Sequence, residues 1–356
     1  MKKILISTGG SGGHVMPALN LYEHLKKDFN VKIYTDSRGA KFFPKEINKT
    51  IFDVKQVPEK KYLLPIKLIF ILYSFLKSIF LLKKKEFDII FSTGGYMSFP
   101  IVLAAKVFNK KIFLFEPNSI IGRSNKLLLK FATKIICYDK NLKGIHKKYS
   151  HKLIEIAPIL NKCFYEKNTS SETNENFLKI LIMGGSQASL FFTKYLKNEI
   201  LQLSKKYKVK VTQQLSKGFD LNNYKKEYIN NNIESNLFFF EENFLCKNYK
   251  FDIAISRSGA SSLAELAHLN IPFIAIPFPY ATDNHQFINA KRYQDLNCCW
   301  ILEEKNFNSG DIYKIINQFK NNKNEYIEKK KNLIRYSENN NWKNINKILI
   351  RFLNEN

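Results

Sequence analysis

A chain of 356 residues exceeds what one hydrophobic core usually holds, so two domains are expected, and 45% hydrophobic residues leave ample apolar side chains for both cores. Basic residues outnumber acidic ones 57 to 31, a net charge of +26 that suits nucleic acid, an acidic membrane surface or a phosphorylated substrate; part of it reflects a joint excess of lysine, asparagine, isoleucine and phenylalanine. Five scattered cysteines, Cys137, Cys163, Cys246, Cys298 and Cys299, contain no C-x-x-C pair, which argues against a disulfide framework or a zinc site and for a reducing compartment.

The first apolar run, Ile4 to Ile6, is too short for a signal peptide. Lys3 to Ser7 reads as a buried strand, Thr8 to His14 as a glycine loop, and Pro17 to Leu25 as the helix after it. The glycine spacing departs from G-x-G-x-x-G, so a nicotinamide site is weakly signalled even with Asp36 at the end of the next strand, Val31 to Thr35. His14, at the lip of the helix, is of the residue type suited to proton transfer near neutral pH; the competing reading is a histidine that caps or packs. The segment 62–82 is the most apolar in the chain. Lys67 and Lys77 interrupt it too closely for a transmembrane span. Pro65 can open a helix there, and Lys60, Lys61 and Lys83 to Lys85 flank it with positive charge, an arrangement fit for docking on an anionic bilayer or, alternatively, a core helix. Asp88 to Ser92 is the next strand, Thr93 to Ser98 a second glycine loop opening on a helix near Pro100, and Lys111 to Phe115 a strand that ends at Glu116-Pro117-Asn118. Three strand ends therefore carry polar or glycine loops at one edge, where open parallel sheets bind ligands.

From 161 to 177 the chain turns polar and reads as a linker. Lys179 to Ser186, KILIMGGS, then echoes KILI and GGS at the N-terminus, so a second domain of the same kind begins: 1–160 and 178–338 are two Rossmann-like α/β domains facing each other across a cleft, with a last helix in 339–356 crossing back to the first. Val209 to Thr212 and Leu237 to Phe240 supply strands. Ile253 to Ile255 forms a strand ending at Ser256-Arg257-Ser258-Gly259, and a helix starts at Ala260, its free amides and dipole aimed at an anion. Glu265, one turn in and on the face of Ser261 and Ser262, is placed to accept from vicinal ribose hydroxyls, unless it is merely solvated. After the strand Pro272 to Ile276, a loop with Asp283, Asn284, His285, Gln286 and Asn289 offers the donors and acceptors that a sugar needs.

The motifs GGSGGH (9–14), TGGYMS (93–98), FEPN (115–118), MGGSQAS (183–189), SRSGASSLAEL (256–266) and DNHQFINA (283–290), in this order, resemble the MurG family of glycosyltransferases. That resemblance implies the two-domain GT-B fold and transfer of N-acetylglucosamine from UDP-N-acetylglucosamine to the 4-hydroxyl of lipid-linked N-acetylmuramoyl-pentapeptide in peptidoglycan synthesis, at the cytoplasmic face of the plasma membrane. It implies that Ser11, Gly12 and Gly13 form a donor-contacting turn, and that Asn118 belongs to an E-x-N motif and Tyr96 to the substrate-binding set. Ser186 falls near the diphosphate, Ala260, Ser261, Ser262, Leu263 and Ala264 at the helix start, Glu265 on the ribose and Gln286 on the donor sugar. More loosely, Glu241 and Phe244 fall at the uracil. Two departures bear on stabilising the leaving UDP: Leu160 stands where the family has arginine, and Ala188 where it has glycine. Arg257 and Lys162 are the cations at hand to substitute.

An inverting transfer needs a base and a stabiliser of the leaving diphosphate. His14 is the expected base, with Glu116 as a second candidate for that role or for positioning. No carboxylate cluster has metal-ligand spacing, so neither metal nor cofactor is expected. The alternatives are another GT-B enzyme, a diacylglycerol glycosyltransferase or a UDP-N-acetylglucosamine 2-epimerase, and a nucleic-acid-binding protein. Against the last, no basic stripe interleaves with aromatics.

Overall fold

The computed structural model describes residues 1–53, 64–84, 86–166, 177–186, 188–239, 241, 244–247 and 250–355, with backbone alone for 64–68. Expectations for Lys60, Lys61, Tyr62, Lys85, Phe240 and most of the polar stretch 161–177 lie outside them. The chain divides into two units, residues 1–162 with 341–356, and residues 163–340.

Unit 1 runs β1 (Lys3–Ser7), α1 (Gly12–Leu25), β2 (Asn30–Thr35), β3 (Lys49–Ile51), α2 (Leu64–Lys84), β4 (Ile89–Ser92), α3 (Ser98–Val107), β5 (Lys111–Glu116), α4 (Arg123–Leu128), β6 (Lys134–Cys137) and β7 (Leu153–Glu155). The strands make one parallel sheet in the order β3-β2-β1-β4-β5-β6-β7. Its central strands are apolar on both faces and buried beyond the exposed Lys3 and Lys111 at the starts of β1 and β5, the pattern of a parallel sheet covered by helices on each side. The helix α1 begins at Gly12, five residues before the expected start. Pro17 is tolerated inside it because a missing N–H forfeits a single bond, that to the Gly13 carbonyl.

Helix α2 is apolar on two faces: Phe75, Ile79, Leu81 and Leu82 pack on the unit 1 core, and a second apolar face is left exposed. Its buried positions include Ser74 and Ser78, the latter bonded back to the Ser74 carbonyl at 2.7 Å, while Ile69, Leu72, Tyr73, Leu76 and Phe80 are exposed, Phe80 by 69%. Among the described residues no helix is long and apolar enough to cross a membrane.

Unit 2 runs α5 (Lys162–Tyr165, its first residue in unit 1), β8 (Leu178–Met183), α6 (Leu190–Ser204), β9 (Val209–Gln214), α7 (Leu221–Asn230), β10 (Glu234–Phe238), α8 (Phe244–Lys247), β11 (Ile253–Ser256), α9 (Ala260–His268), β12 (Phe273–Ala275), α10 (His285–Asp295), β13 (Cys299–Ile301), α11 (Asp311–Asn321) and α12 (Lys323–Ser337). Its parallel sheet has the order β10-β9-β8-β11-β12-β13. The last helix, α13 (Trp342–Glu355), belongs to unit 1. There Ile345, Leu349, Phe352 and Leu353 complete the core, with the Phe352 ring 4.7 Å from that of Phe113. The Trp342 indole stacks at 3.8 Å on His24, whose burial lowers its pKa despite hydrogen bonds to Asn346 and the Leu160 carbonyl.

One expectation is overturned. Cys163 and Cys246, 83 residues apart, form a disulfide, because α5 and α8 bring their Cα atoms to 5.7 Å. No sequence spacing reveals such a pair.

Candidate functional site

In each sheet the strand order reverses direction at one point, between β1 and β4 in unit 1 and between β8 and β11 in unit 2. Loops at the carboxyl ends of the flanking strands diverge there and leave a crevice. The expected residues fall largely at these two places.

In unit 1 the loops after β1 and β4 interlock around His14. A Cβ on Gly94, at φ +93°, would stand 3.1 Å from the imidazole, and one on Gly95, at φ +82°, 3.1 Å from the Gly9 carbonyl. Only glycine fits both the conformation and the space. His14 Nδ1 lies 2.9 Å from the Thr93 carbonyl. A carbonyl only accepts, so Nδ1 carries the proton and Nε2 keeps its lone pair. Histidine here is thus held in the tautomer of a base. Ser11 caps α1 without a side-chain bond and is exposed; Gly12 and Gly13, read as loop, are its first helical residues, so their amides have no intrahelical partner.

Asp36, weakly read as a nicotinamide signal, has another task. Its buried carboxylate accepts from the amides of Gly10 (2.9 Å) and Gly39 (2.8 Å) and the Tyr96 hydroxyl (2.6 Å), and pairs with Arg38 Nε at 3.5 Å. Burial alone would raise its pKa, but these donors and the guanidinium hold it below the usual carboxylate range. With its acceptors committed to the loop, Asp36 is not placed for a ribose, and the Tyr96 hydroxyl, expected on substrate, serves as one of its donors.

Glu116 is likewise committed. Its Oε1 accepts from the backbone (3.3 Å) and side-chain (2.9 Å) nitrogens of Asn118, and its Oε2 from the Gly122 amide (2.8 Å) and Asn125 Nδ2 (3.0 Å). Four donors and 3% exposure leave the carboxylate no room to take a proton from a substrate; it builds the turn that presents Asn118. Ser124, missed in the sequence, ties α4 to this site through the Gly95 carbonyl at 2.9 Å.

In unit 2, α9 starts at the switch point with Gly259 as its cap. The side chains of Leu263 and Ala264 are buried, and the Leu263 amide donates to the Gly259 carbonyl at 3.0 Å. The helix start therefore offers the amides of Ala260, Ser261 and Ser262. Glu265 is half-buried, no hydrogen bond or ion pair among the described residues engages its carboxylate, and burial pushes its pKa up to about 8. Gln286 Oε1 accepts from the amides of Ser258 (3.1 Å) and Phe278 (3.0 Å), which fixes the flip of the side chain and turns its NH₂ outward as a donor. Ser186 is exposed in the loop after β8.

Arg257 departs from expectation. It is 7% exposed and pairs with Glu304 at 2.5 Å; it also donates to Ser189 Oγ (2.9 Å) and to the carbonyls of Ile276 (3.2 Å) and Pro277 (3.3 Å), and stacks against Phe192. These bonds hold the loops after β8, β11 and β12 together, so the guanidinium is architectural. Leu160 is also interior, at 1% exposure. Ala188 has φ +56°, the left-handed conformation that glycine adopts freely and alanine does not. Phe244 is buried and stacked on Phe238 at 4.1 Å, and exposed Glu241 pairs with Lys247 at 2.8 Å, both beyond the edge strand β10. Among the described residues no three His, Cys, Asp or Glu side chains converge as a metal site.

Comparison with known proteins agrees over the full length. Residues 4–137 match the model of the glycosyltransferase family 28 N-terminal domain and residues 179–346 that of its C-terminal domain. A UDP-N-acetylglucosamine–N-acetylmuramyl-(pentapeptide) pyrophosphoryl-undecaprenol N-acetylglucosamine transferase of Pelagibacter ubique is 42% identical over 356 residues, covering 100% of this chain and 99% of that protein. Its namesake in Rickettsia canadensis is 32% identical over 91% of this chain and 92% of its own. In fold, the crystal structure of MurG from Acinetobacter baumannii superposes with a TM-score of 0.78 at 20% identity over 99% of this chain and 100% of that one. A UDP-GlcNAc 2-epimerase from Neisseria meningitidis superposes with a TM-score of 0.66 at 15% identity, covering 99% of this chain and 100% of that one. Two parallel-sheet Rossmann-like units of GT-B type, with both family models matched in order, show that this chain belongs to glycosyltransferase family 28.

Proposed function

We propose that this chain transfers N-acetylglucosamine from UDP-N-acetylglucosamine to the 4-hydroxyl of a lipid-linked N-acetylmuramoyl-pentapeptide, with inversion. The observation that carries the reading is the 42% identity, end to end, to a protein named for that reaction. The geometry supports a division of labour. In unit 2 the amides of Ala260 to Ser262 receive the diphosphate, Glu265 the ribose hydroxyls and the Gln286 NH₂ a sugar hydroxyl. In unit 1 His14 Nε2 takes the proton of the acceptor hydroxyl as its oxygen bonds to the anomeric carbon; the bond to the diphosphate oxygen breaks, and UDP leaves with the electron pair. The imidazolium so formed is steadied by its Nδ1–H bond to the Thr93 carbonyl. With Arg257 and Leu160 both interior, the α9 amides are the anion stabiliser in this reading.

The exposed apolar face of α2, followed by Lys83 and Lys84, supports a peripheral seat on the anionic, cytoplasmic face of the plasma membrane, where a lipid-anchored acceptor is reached. The test is transfer of labelled N-acetylglucosamine from UDP to a synthetic lipid-linked muramoyl-pentapeptide. Label in the lipid fraction is the expected result. Its absence, with conversion of UDP-N-acetylglucosamine in the absence of acceptor, would instead identify an epimerase.

A further inference from the structure

The Cys163–Cys246 bond fastens together two pieces of unit 2 that lie 83 residues apart along the chain. On one side is α8, one turn long, whose Phe244 stacks on Phe238 and whose Lys247 pairs with Glu241. On the other is α5, itself moored to the far end of α9. The Phe164 carbonyl accepts from His268 Nε2 at 3.3 Å, the Tyr165 ring lies 5.1 Å from His268, and the Tyr165 hydroxyl donates to Asn340 Oδ1 at 3.3 Å. The bridge thus couples the segment beyond β10, assigned by resemblance to the uracil, to the helix whose other end meets the diphosphate.

The remaining cysteines are unsuited to thiol exchange. Cys137, Cys298 and Cys299 are all buried, and burial pushes the Cys298 thiol up to about 11 and the Cys299 thiol up as well, so neither offers a thiolate near neutral pH. Cys163 is half-exposed and Cys246 is 8% exposed, which makes Cys163 the sulfur that a small thiol or disulfide reaches first.

We propose that Cys163 and Cys246 are a reversible dithiol–disulfide pair whose oxidation holds α8, with Phe244 and Lys247, in its nucleotide-binding arrangement. The exchange balances with a low-molecular-weight disulfide as oxidant. The Cys163 thiolate attacks one of its sulfurs and expels one thiol, leaving a mixed disulfide; the Cys246 thiolate then attacks Cys163 Sγ and expels the second thiol. Two protein thiols are oxidised and one small disulfide is reduced. In the reduced chain α8 keeps the Phe244–Phe238 stack and the Lys247–Glu241 pair but loses its tie to α5, so nucleotide binding must also hold it in place.

The inference rests on the nucleotide reading above, and one experiment separates the two. The full-length chain is equilibrated in glutathione buffers of graded ratio, its cysteines are mapped by differential alkylation and mass spectrometry, and UDP binding is measured by calorimetry across the series. The expected result is a Cys163–Cys246 bond, absent in Cys163→Ser, and UDP binding roughly tenfold tighter in the oxidised protein. Cys163→Ser, which retains buried Cys246 and so preserves the packing of α8, is expected to bind like the reduced protein at every ratio. Equal UDP affinity in both redox states overturns the proposal and leaves the nucleotide reading standing, as does a pair that never oxidises. UDP binding to neither state overturns both.

Discussion

Because the Thr93 carbonyl can only accept, the His14–Thr93 bond decides which imidazole nitrogen holds the proton, and substitution at His14 separates catalysis from architecture. His14→Ala is expected to lower turnover about 10²–10⁴-fold, the range for a general base, with UDP affinity nearly intact; parallel loss of UDP binding in calorimetry would make the residue a loop fastener only. Glu265 makes the opposite demand. Its carboxyl, raised to about 8 by burial, is largely neutral at pH 6, whereas ribose hydroxyls donate to the ionised form. Binding must then expel a proton. Affinity for UDP-N-acetylglucosamine is expected to tighten as pH rises from 6 towards 8, by up to about tenfold per unit, and to level off above it. Glu265→Gln should flatten that profile and lose roughly 1.5–3 kcal/mol at pH 8. A wild-type profile as flat as the variant's would show that the carboxylate does not meet the ligand. For the free protein the sign is reversed. A raised carboxyl contributes stability that is complete below its unfolded value and is lost as pH climbs through about 8. The positions of His14 and Glu265 were legible from sequence because each follows a buried strand and a glycine turn. The commitments of Arg257 and Glu116 were not, since Glu304 and Ser189 lie 47 and 68 residues from Arg257, and the Glu116 donors gather only when the turn to Asn125 closes.

At the level of elements, the loop between β8 and α6 carries an avoidable cost. Ala188 sits at φ +56°, which penalises a side chain by about 1–2 kcal/mol, while glycine returns about 0.4–1 kcal/mol to the unfolded chain. Ala188→Gly should accordingly raise stability by roughly 0.5–1 kcal/mol in denaturant titrations. A lower midpoint would mean that the alanine methyl makes contacts that outweigh its conformation. Helix α2 invites a second test. Replacing Leu76 and Phe80, both exposed, by glutamate adds repulsion to lost apolar area and should abolish sedimentation with anionic liposomes at low salt, with turnover on a soluble short-chain acceptor unchanged. Undiminished sedimentation would remove α2 from the docking surface. Strands such as β1, β4, β8 and β11 announce themselves by continuous apolar runs. The edges β3, β7 and β13 do not, because three residues each are too few to carry a period, and β3 and β7 are also mixed in polarity and partly exposed. The inward serines of α2 were also invisible, since an apolar-rich segment with few polar positions does not show which of its faces meets the sheet.

For the molecule as a whole, the repeated KILI–GGS pattern disclosed two units of one kind, and the sheet orders show each reversing at its first strand. The division at 162, with 341–356 returned to unit 1, follows from packing that only the folded chain displays: Lys2 Nζ reaches the Leu353 carbonyl at 2.6 Å, and Trp342 covers His24. That return sets a timetable. A ribosome delivers residues 1–162 first, yet their core lacks Ile345, Leu349, Phe352 and Leu353 until the chain has been extended by almost two hundred further residues. The second unit is contiguous and can close earlier than the first. At about 5–20 residues per second the first unit waits on the order of ten to forty seconds with Phe113 lacking its Phe352 cover, within reach of chaperones and proteases.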